Sequence, residues 1–130
     1  ADLGLYIYGN DLAELMANAC EALCAQFVDN PEAVRPAVSR ELVVEDDGEA
    51  ELLRTWLAEL LYVYDSEGWL PRRADIRGVD SARLSAVVWG EPADESRHEL
   101  KAEIKAVTWH RLAVERTEDG KLRGTVIFDI

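Results

Sequence analysis

The sequence closes on Gly124-Thr125-Val126-Ile127-Phe128-Asp129-Ile130, an apolar run that sets the side-chain carboxylate of Asp129 beside the α-carboxylate of Ile130. Carboxylate oxygens suit hard cations. Two of them on one strand end either bind such a cation or keep that end hydrated. A further acid, Asp2, stands just before an apolar stretch at the other end of the chain. Between them, Arg97–His110 (RHELKAEIKAVTWH) gathers Lys101, Lys105, His98 and His110 in an otherwise acidic sequence. Only Lys121 adds to those two lysines, the remaining basic residues being arginines. Core packing explains none of these three features.

Other chemistries lack their residues. There is no G-x-x-x-x-G-K-[ST] or G-x-G-x-x-G loop to cradle phosphate, and no G-x-S-x-G nucleophile elbow. His98 and His110 are not spaced as a metal pair on one helix and are left outside any metal shell. Cys20 and Cys24 are too few for a structural zinc site, which takes four ligands; they read as free thiols on a helix's buried face in a reducing compartment. With 26 acidic against 14 basic residues, the net charge of −12 argues against direct binding of nucleic acid or an anionic membrane. It fits a basic protein partner or a cation. No apolar run approaches the roughly 20 residues a membrane helix needs, and no signal-like segment opens the sequence, so a cytoplasmic location is expected.

The elements that must position these groups are marked by periodicity. Leu3, Leu5 and Ile7 alternate with Gly4, Tyr6 and Tyr8, the period of a strand. Asp11 and Glu14 then form a D-x-x-E capping pattern before a helix with Leu12, Leu15, Met16, Ala19, Leu23 and Phe27 on one face. Pro31 and Pro36 stop it. Ser39–Glu45 reads as a short strand. A second helix follows Asp46-Asp47-Gly48-Glu49, carries Leu53, Trp56, Leu57, Leu60, Leu61 and Tyr64 as a wide apolar stripe, and ends at Gly68. Strands are expected near Arg73–Val79 and over Ala82–Gly90, then a polar loop over Glu91–Lys101. The longest strand, Glu103–Glu115, meets the terminal strand through Asp119-Gly120, a two-residue hairpin signal. Counted from that turn, Asp129 falls opposite His110. Ile104, Ala106, Thr108, His110, Leu112 and Val114 share one face of the long strand, with Lys105, Val107, Trp109 and Arg111 on the other. The order β-α-β-α-β-β-β-β closes naturally as an α+β fold, two helices on a mostly antiparallel mixed sheet, in a single domain over residues 1–130.

The segments ADLGLYIYG, RHELKAEIKAVTWH and the terminal Asp-Ile resemble the archease family, as does the helix LLRTWLAELLYVYDSEG in its position. The run Lys105–His110 is similar to that family's K-A-[IV]-T-[YW]-[HS]. One departure stands out: the family's first motif reads His-Thr-Ala-Asp, and this sequence carries only its Ala1 and Asp2. The resemblance implies an accessory protein, not an enzyme. Its partner would be the GTP-dependent RNA ligase of tRNA splicing and RNA repair, which it activates by promoting guanylylation and multiple turnover. It also implies a divalent-metal site made by Asp2, Asp129 and the carboxylate of Ile130, with Ca²⁺ expected first and Mg²⁺ or Mn²⁺ as substitutes. Three carboxylates around a doubly charged ion leave about one negative charge in excess, and Lys105 is the family-matched cation to offset it and to act on the partner. Two rival readings are a stand-alone metal-dependent phosphoester hydrolase using the same carboxylates, and a general protein-binding chaperone module.

Overall fold

A computed structural model describes residues 1–101 and 103–130; Ala102, inside the Arg97–His110 motif, lies outside the described residues. Strand β1 (Asp2–Gly9) leads into helix α1 (Leu12–Phe27), then a 3₁₀ turn (Pro31–Ala33) and β2 (Val38–Glu45). Helix α2 (Glu49–Glu67) precedes β3 (Trp69–Val79), β4 (Arg83–Pro92), β5 (Ala106–Val107), β6 (Ala113–Arg116) and β7 (Leu122–Asp129). The expected order of elements holds, with the long penultimate strand split in two. The expected single layer is divided as well. Among the described residues every strand pairing is antiparallel, and the strands form two sheets: β1-β7-β5 with β6 also on β7, and β2-β4-β3.

Local chemistry explains the helix ends. The Asp11 carboxylate accepts the Glu14 N–H at 2.8 Å, and the Glu14 carboxylate reaches back to the Asn10 N–H at 3.1 Å. Two orphan donors at the entry to α1 are thereby satisfied. Helix α2 stops where Gly68 turns left-handed and its N–H closes on the Tyr64 carbonyl at 2.8 Å. Leu15, Met16, Ala19, Cys20, Leu23, Cys24 and Phe27 of α1 are buried, as are Leu52, Leu53, Trp56, Leu57, Leu60, Leu61 and Val63 of α2. Both expected stripes are there. Tyr64 lies at the core's margin, stacked on Phe27 with ring centroids 4.1 Å apart. The Trp56 indole N–H, fully buried, donates to the Met16 carbonyl at 2.9 Å and ties the two helices together. From β7, Leu122, Val126 and Phe128 complete the core, while Thr125, Ile127 and Asp129 lie on the other face, as alternation predicts.

The turn before β7 differs from expectation by one residue. The Gly120 N–H donates to the Thr117 carbonyl and the Thr117 N–H to that of Lys121, so the loop is Glu118-Asp119-Gly120. In this loop only Gly120 takes positive φ (84°). This is the three-residue hairpin, a turn followed by a left-handed residue, and it moves the register: Ala113 pairs with Thr125 and Arg116 with Leu122.

A larger correction follows toward the chain end. Between Val107, opposite Phe128, and Ala113, opposite Thr125, five residues face the two residues Val126 and Ile127. The three extra residues loop out over Thr108–Leu112. The Thr108 N–H and hydroxyl both donate to the Ile127 carbonyl, at 2.9 and 2.8 Å. The Leu112 N–H closes on the Trp109 carbonyl at 3.3 Å, with Arg111 at φ 53°. Strict alternation over Glu103–Glu115 therefore fails: Ile104 and Val107 are buried while Lys105 and Ala106 are exposed. Asp129 lies opposite Ala106, not His110.

Candidate functional site

Strand β7 runs down the middle of its sheet, and all its residues but Val126 and Ile127 have a paired neighbour on either side. At its end this places Asp2 of β1 directly opposite Asp129, and Ala106 of β5 opposite Asp129 on the other flank. Residues from the start, the second half and the end of the chain thus meet in one row. Side chains directly opposed across strands have Cβ atoms about 4.5–5.5 Å apart, which brings the Asp2 and Asp129 carboxylates within reach of one ion. The Lys105 N–H donates to the Asp129 carbonyl at 2.8 Å and anchors the backbone of that lysine on the same strand end. Ile130 follows, its N–H donating to the Ala1 carbonyl at 3.1 Å. The four residues singled out in the sequence therefore converge: Asp2 and Asp129 as a cross-strand pair, with Lys105 and Ile130 on either side of it in the backbone network.

Like charges placed directly opposite each other destabilise a sheet. Among the described residues, neither the Asp2 nor the Asp129 carboxylate has a hydrogen-bond or ion-pair partner, and no third His, Cys, Asp or Glu side chain joins them in a ready-made metal cluster. The donor set is two side-chain carboxylates and whatever the main chain at Ile130 supplies. That set fits an oxygen-seeking divalent ion completed by water, and a cation would remove a repulsion that the fold leaves standing.

The Arg97–Lys101 end of the motif serves the fold. Lys101 donates to the Ala25 carbonyl at 3.2 Å and lies 3.7 Å from Asp29, pinning this segment to the end of α1. His98 is buried. Its Nδ1 accepts the Asp94 N–H at 2.9 Å, which leaves Nε2 to donate to Glu91 at 3.0 Å. Glu91, also buried, accepts from the Arg97 guanidinium at 2.5 Å and from the Arg35 N–H at 2.7 Å. Burial opposes the charge on Glu91, but those three donors win and hold its carboxyl down at about 2. The sequence presents this stretch only as a polar loop, and nothing in its spacing distinguishes Glu91 from the exposed Glu95 or Glu99. His110 is exposed in the looped-out turn. Trp109 is exposed too, with the Arg54 guanidinium 3.3 Å from its ring centroid, while Arg54 Nε donates to the Val107 carbonyl at 3.0 Å. Cys20 and Cys24 are free and fully buried; burial pushes both thiols up, Cys24 to about 11. Among the described residues no helix is long and apolar enough to cross a membrane.

Compared with known proteins, residues 1–130 match the sequence model of the Archease protein family (MTH1598/TM1083) along their whole length. The chain belongs to the archease family. Protein archease of Methanothermobacter thermautotrophicus is 33% identical, over all of this chain and 93% of the relative. Protein archease of Pyrococcus abyssi is likewise 33% identical, with the same coverage. The solution structure of Methanobacterium thermoautotrophicum protein 1598 superposes with a TM-score of 0.81 at 34% identity, covering all of this chain and 93% of that one. A crystal structure of an archease from Thermotoga maritima, described there as a possible chaperone, shares the fold with a TM-score of 0.65 at 23% identity, covering all of this chain and 91% of that one.

Proposed function

We propose that this archease-family protein activates a GTP-dependent RNA ligase, presenting the Asp2–Asp129 strand end to the ligase and promoting its guanylylation and multiple turnover. The observation that carries this reading is the opposition of two acids without a counterion, drawn from the two ends of the chain, with Lys105 hydrogen-bonded beside them. Such a group has work to do outside its own fold. Asp2 and Asp129, with the carboxylate of Ile130, would hold a divalent ion, Ca²⁺ first and Mg²⁺ or Mn²⁺ in its place. When bound, that ion supplies charge for organising phosphate oxygens. Lys105 adds a positive charge next to it, able to offset excess carboxylate or meet a phosphate.

The overall charge acts earlier. A ligase that holds RNA and nucleotide presents a basic cleft, and a partner carrying −12 is steered toward it at a rate that falls with salt. Within that encounter the acidic strand end is the group that fits a site already holding metal and nucleotide.

The test is ligase turnover with and without the protein, each with chelator, repeated after removal of Asp129-Ile130. The truncated protein should keep its fold, because Asp129 faces away from the core, and should lose stimulation. Full stimulation by a folded truncation would overturn the proposal. Stimulation indifferent to both chelator and truncation would favour a chaperone-like binding module, and phosphoester cleavage by the protein alone would favour a hydrolase.

A further inference from the structure

On the solvent face of the β1–β7 pair, one residue row from Asp2 and Asp129, lies a notch of about 210 Å³ lined by Gly4, Leu5, Tyr6, Arg111, Thr125 and Ile127. Gly4 is a departure that nothing inside the fold requires, and Arg111 occupies a left-handed position of the Trp109–Leu112 turn that favours glycine. Gly4 sits within a strand, where glycine costs about 0.5–1 kcal/mol relative to alanine. Its φ is not positive, and a Cβ added to it meets no atom within 4 Å. Neither backbone conformation nor crowding demands a glycine here. A glycine inside a strand commonly marks the close approach of something else. Arg111 is the one non-glycine residue with positive φ among those described, a conformation that costs a β-carbon-bearing residue roughly 1–2 kcal/mol. Strain of that kind gathers at ligand clamps. Both departures line the same notch.

Its surroundings are those of a protein-binding hot spot. Tyr6 is 65% exposed, Tyr8 47% and Trp109 66%, and tyrosine, tryptophan and arginine are the residues that dominate binding energy at interfaces. Arg54 holds the Trp109 ring, and Arg123 lies over Tyr6 at 5.1 Å from its centroid. Arg111 lines the notch with no ion-pair partner among the described residues, whereas Arg123 is paired with Glu115 at 2.9 Å, and the next row is acidic. The lining is mainly apolar, with only the Tyr6 phenol, the Thr125 hydroxyl and the Arg111 guanidinium as polar side chains. That is little with which to read a base edge, and it suits an apolar side chain.

We propose that the notch receives one hydrophobic side chain of the partner protein, and that a carboxylate flanking this side chain on the partner meets Arg111. The inference rests on the proposed function and deepens it: the notch sets the register in which the Asp2–Asp129 end enters the ligase.

The experiment is calorimetric binding of the full chain to its ligase, comparing wild type with Gly4→Leu and Arg111→Gly. Gly4→Leu fills open space with a better strand former, so its thermal midpoint should stay at or above the wild-type value. Arg111→Gly keeps the left-handed turn and removes only the side chain. Each should weaken binding at least about tenfold, the loss expected of a central interface residue. Wild-type affinity in both variants overturns the notch and leaves the proposed function standing. Should Gly4→Leu lower the midpoint, Arg111→Gly decides alone. No binding by the wild type overturns the proposed function, and the notch's partner with it. Binding of GTP to the free chain, abolished by Gly4→Leu, overturns the inference in favour of a nucleotide pocket.

Discussion

Two charge clusters in this molecule both centre on carboxylates and end in opposite conditions. At Glu91 every partner is internal: Arg97, His98 and the Arg35 N–H converge on one buried carboxylate. At Asp2 and Asp129 the two carboxylates face each other at the surface with no internal partner among the described residues. The first cluster closes a loop onto the body of the fold. The second is left open, and open charge is what a binding site offers. The difference teaches that counting acids locates neither; what separates them is how much of each group's hydrogen-bonding capacity the fold itself consumes.

The sharpest way to break this contrast is to remove one member of each cluster. Glu91→Ala leaves the buried His98 ring and the Arg35 N–H without their acceptor, and an unsatisfied buried donor costs about 1–3 kcal/mol, read as a lower urea midpoint. A cost no larger than that of Asp129→Ala would dissolve the distinction.

Acid should test the closed cluster next. The Glu91 carboxyl is held at about 2 against an ordinary value of 4.5, so the unfolded chain takes up this proton first. Its contribution to stability is present above about pH 4.5 and is lost as pH falls toward 2. Urea midpoints measured across that window should fall in the wild type, and part of the fall should vanish in Glu91→Gln.

At the open cluster, removing a carboxylate by substitution has the opposite effect on stability. Asp129→Asn removes a like-charge opposition, so stability without metal should hold or rise by about 0.2–1 kcal/mol. The wild-type thermal midpoint should increase with added Ca²⁺ through mass action, and that increase should disappear in the variant and in chelator. The smallest effect is expected at Lys105: Lys105→Ala should change stability by less than about 0.5 kcal/mol, yet reduce ligase stimulation.

Much of this architecture is legible in the sequence, for reasons visible in particular residues. Both helices announce themselves through apolar stripes with Asp11 at one start and Gly68 at one stop. Strand β7 shows its faces because it is central and strictly alternating. The break at Thr108–Leu112 is not legible: Thr-Trp-His-Arg contains neither glycine nor proline, and Arg111 takes the left-handed turn a glycine would have signalled. Its three extra residues, with the one-residue change at the turn, displace Asp129 from His110 to Ala106. The choice between a two- and a three-residue loop at Asp119-Gly120 turns on a single φ, and periodicity carries no information about it. The division into two sheets rests on long-range pairings for the same reason. As for the site, spacing gave Asp129 and Ile130 only as neighbours; family resemblance joined Asp2 and Lys105 to them, and the β1–β7 register supplies the physical reason.

The two cysteines of α1 have a practical consequence. With both thiols sealed in the core and held protonated by burial, a thiol reagent has nothing to attack until the helix opens. Labelling of the unmodified chain is thus a clock for opening, and a cysteine introduced on the outer face of β7 would react without waiting for that opening while the native pair stays silent. The fold comes with its own dark background for mapping where a partner lands.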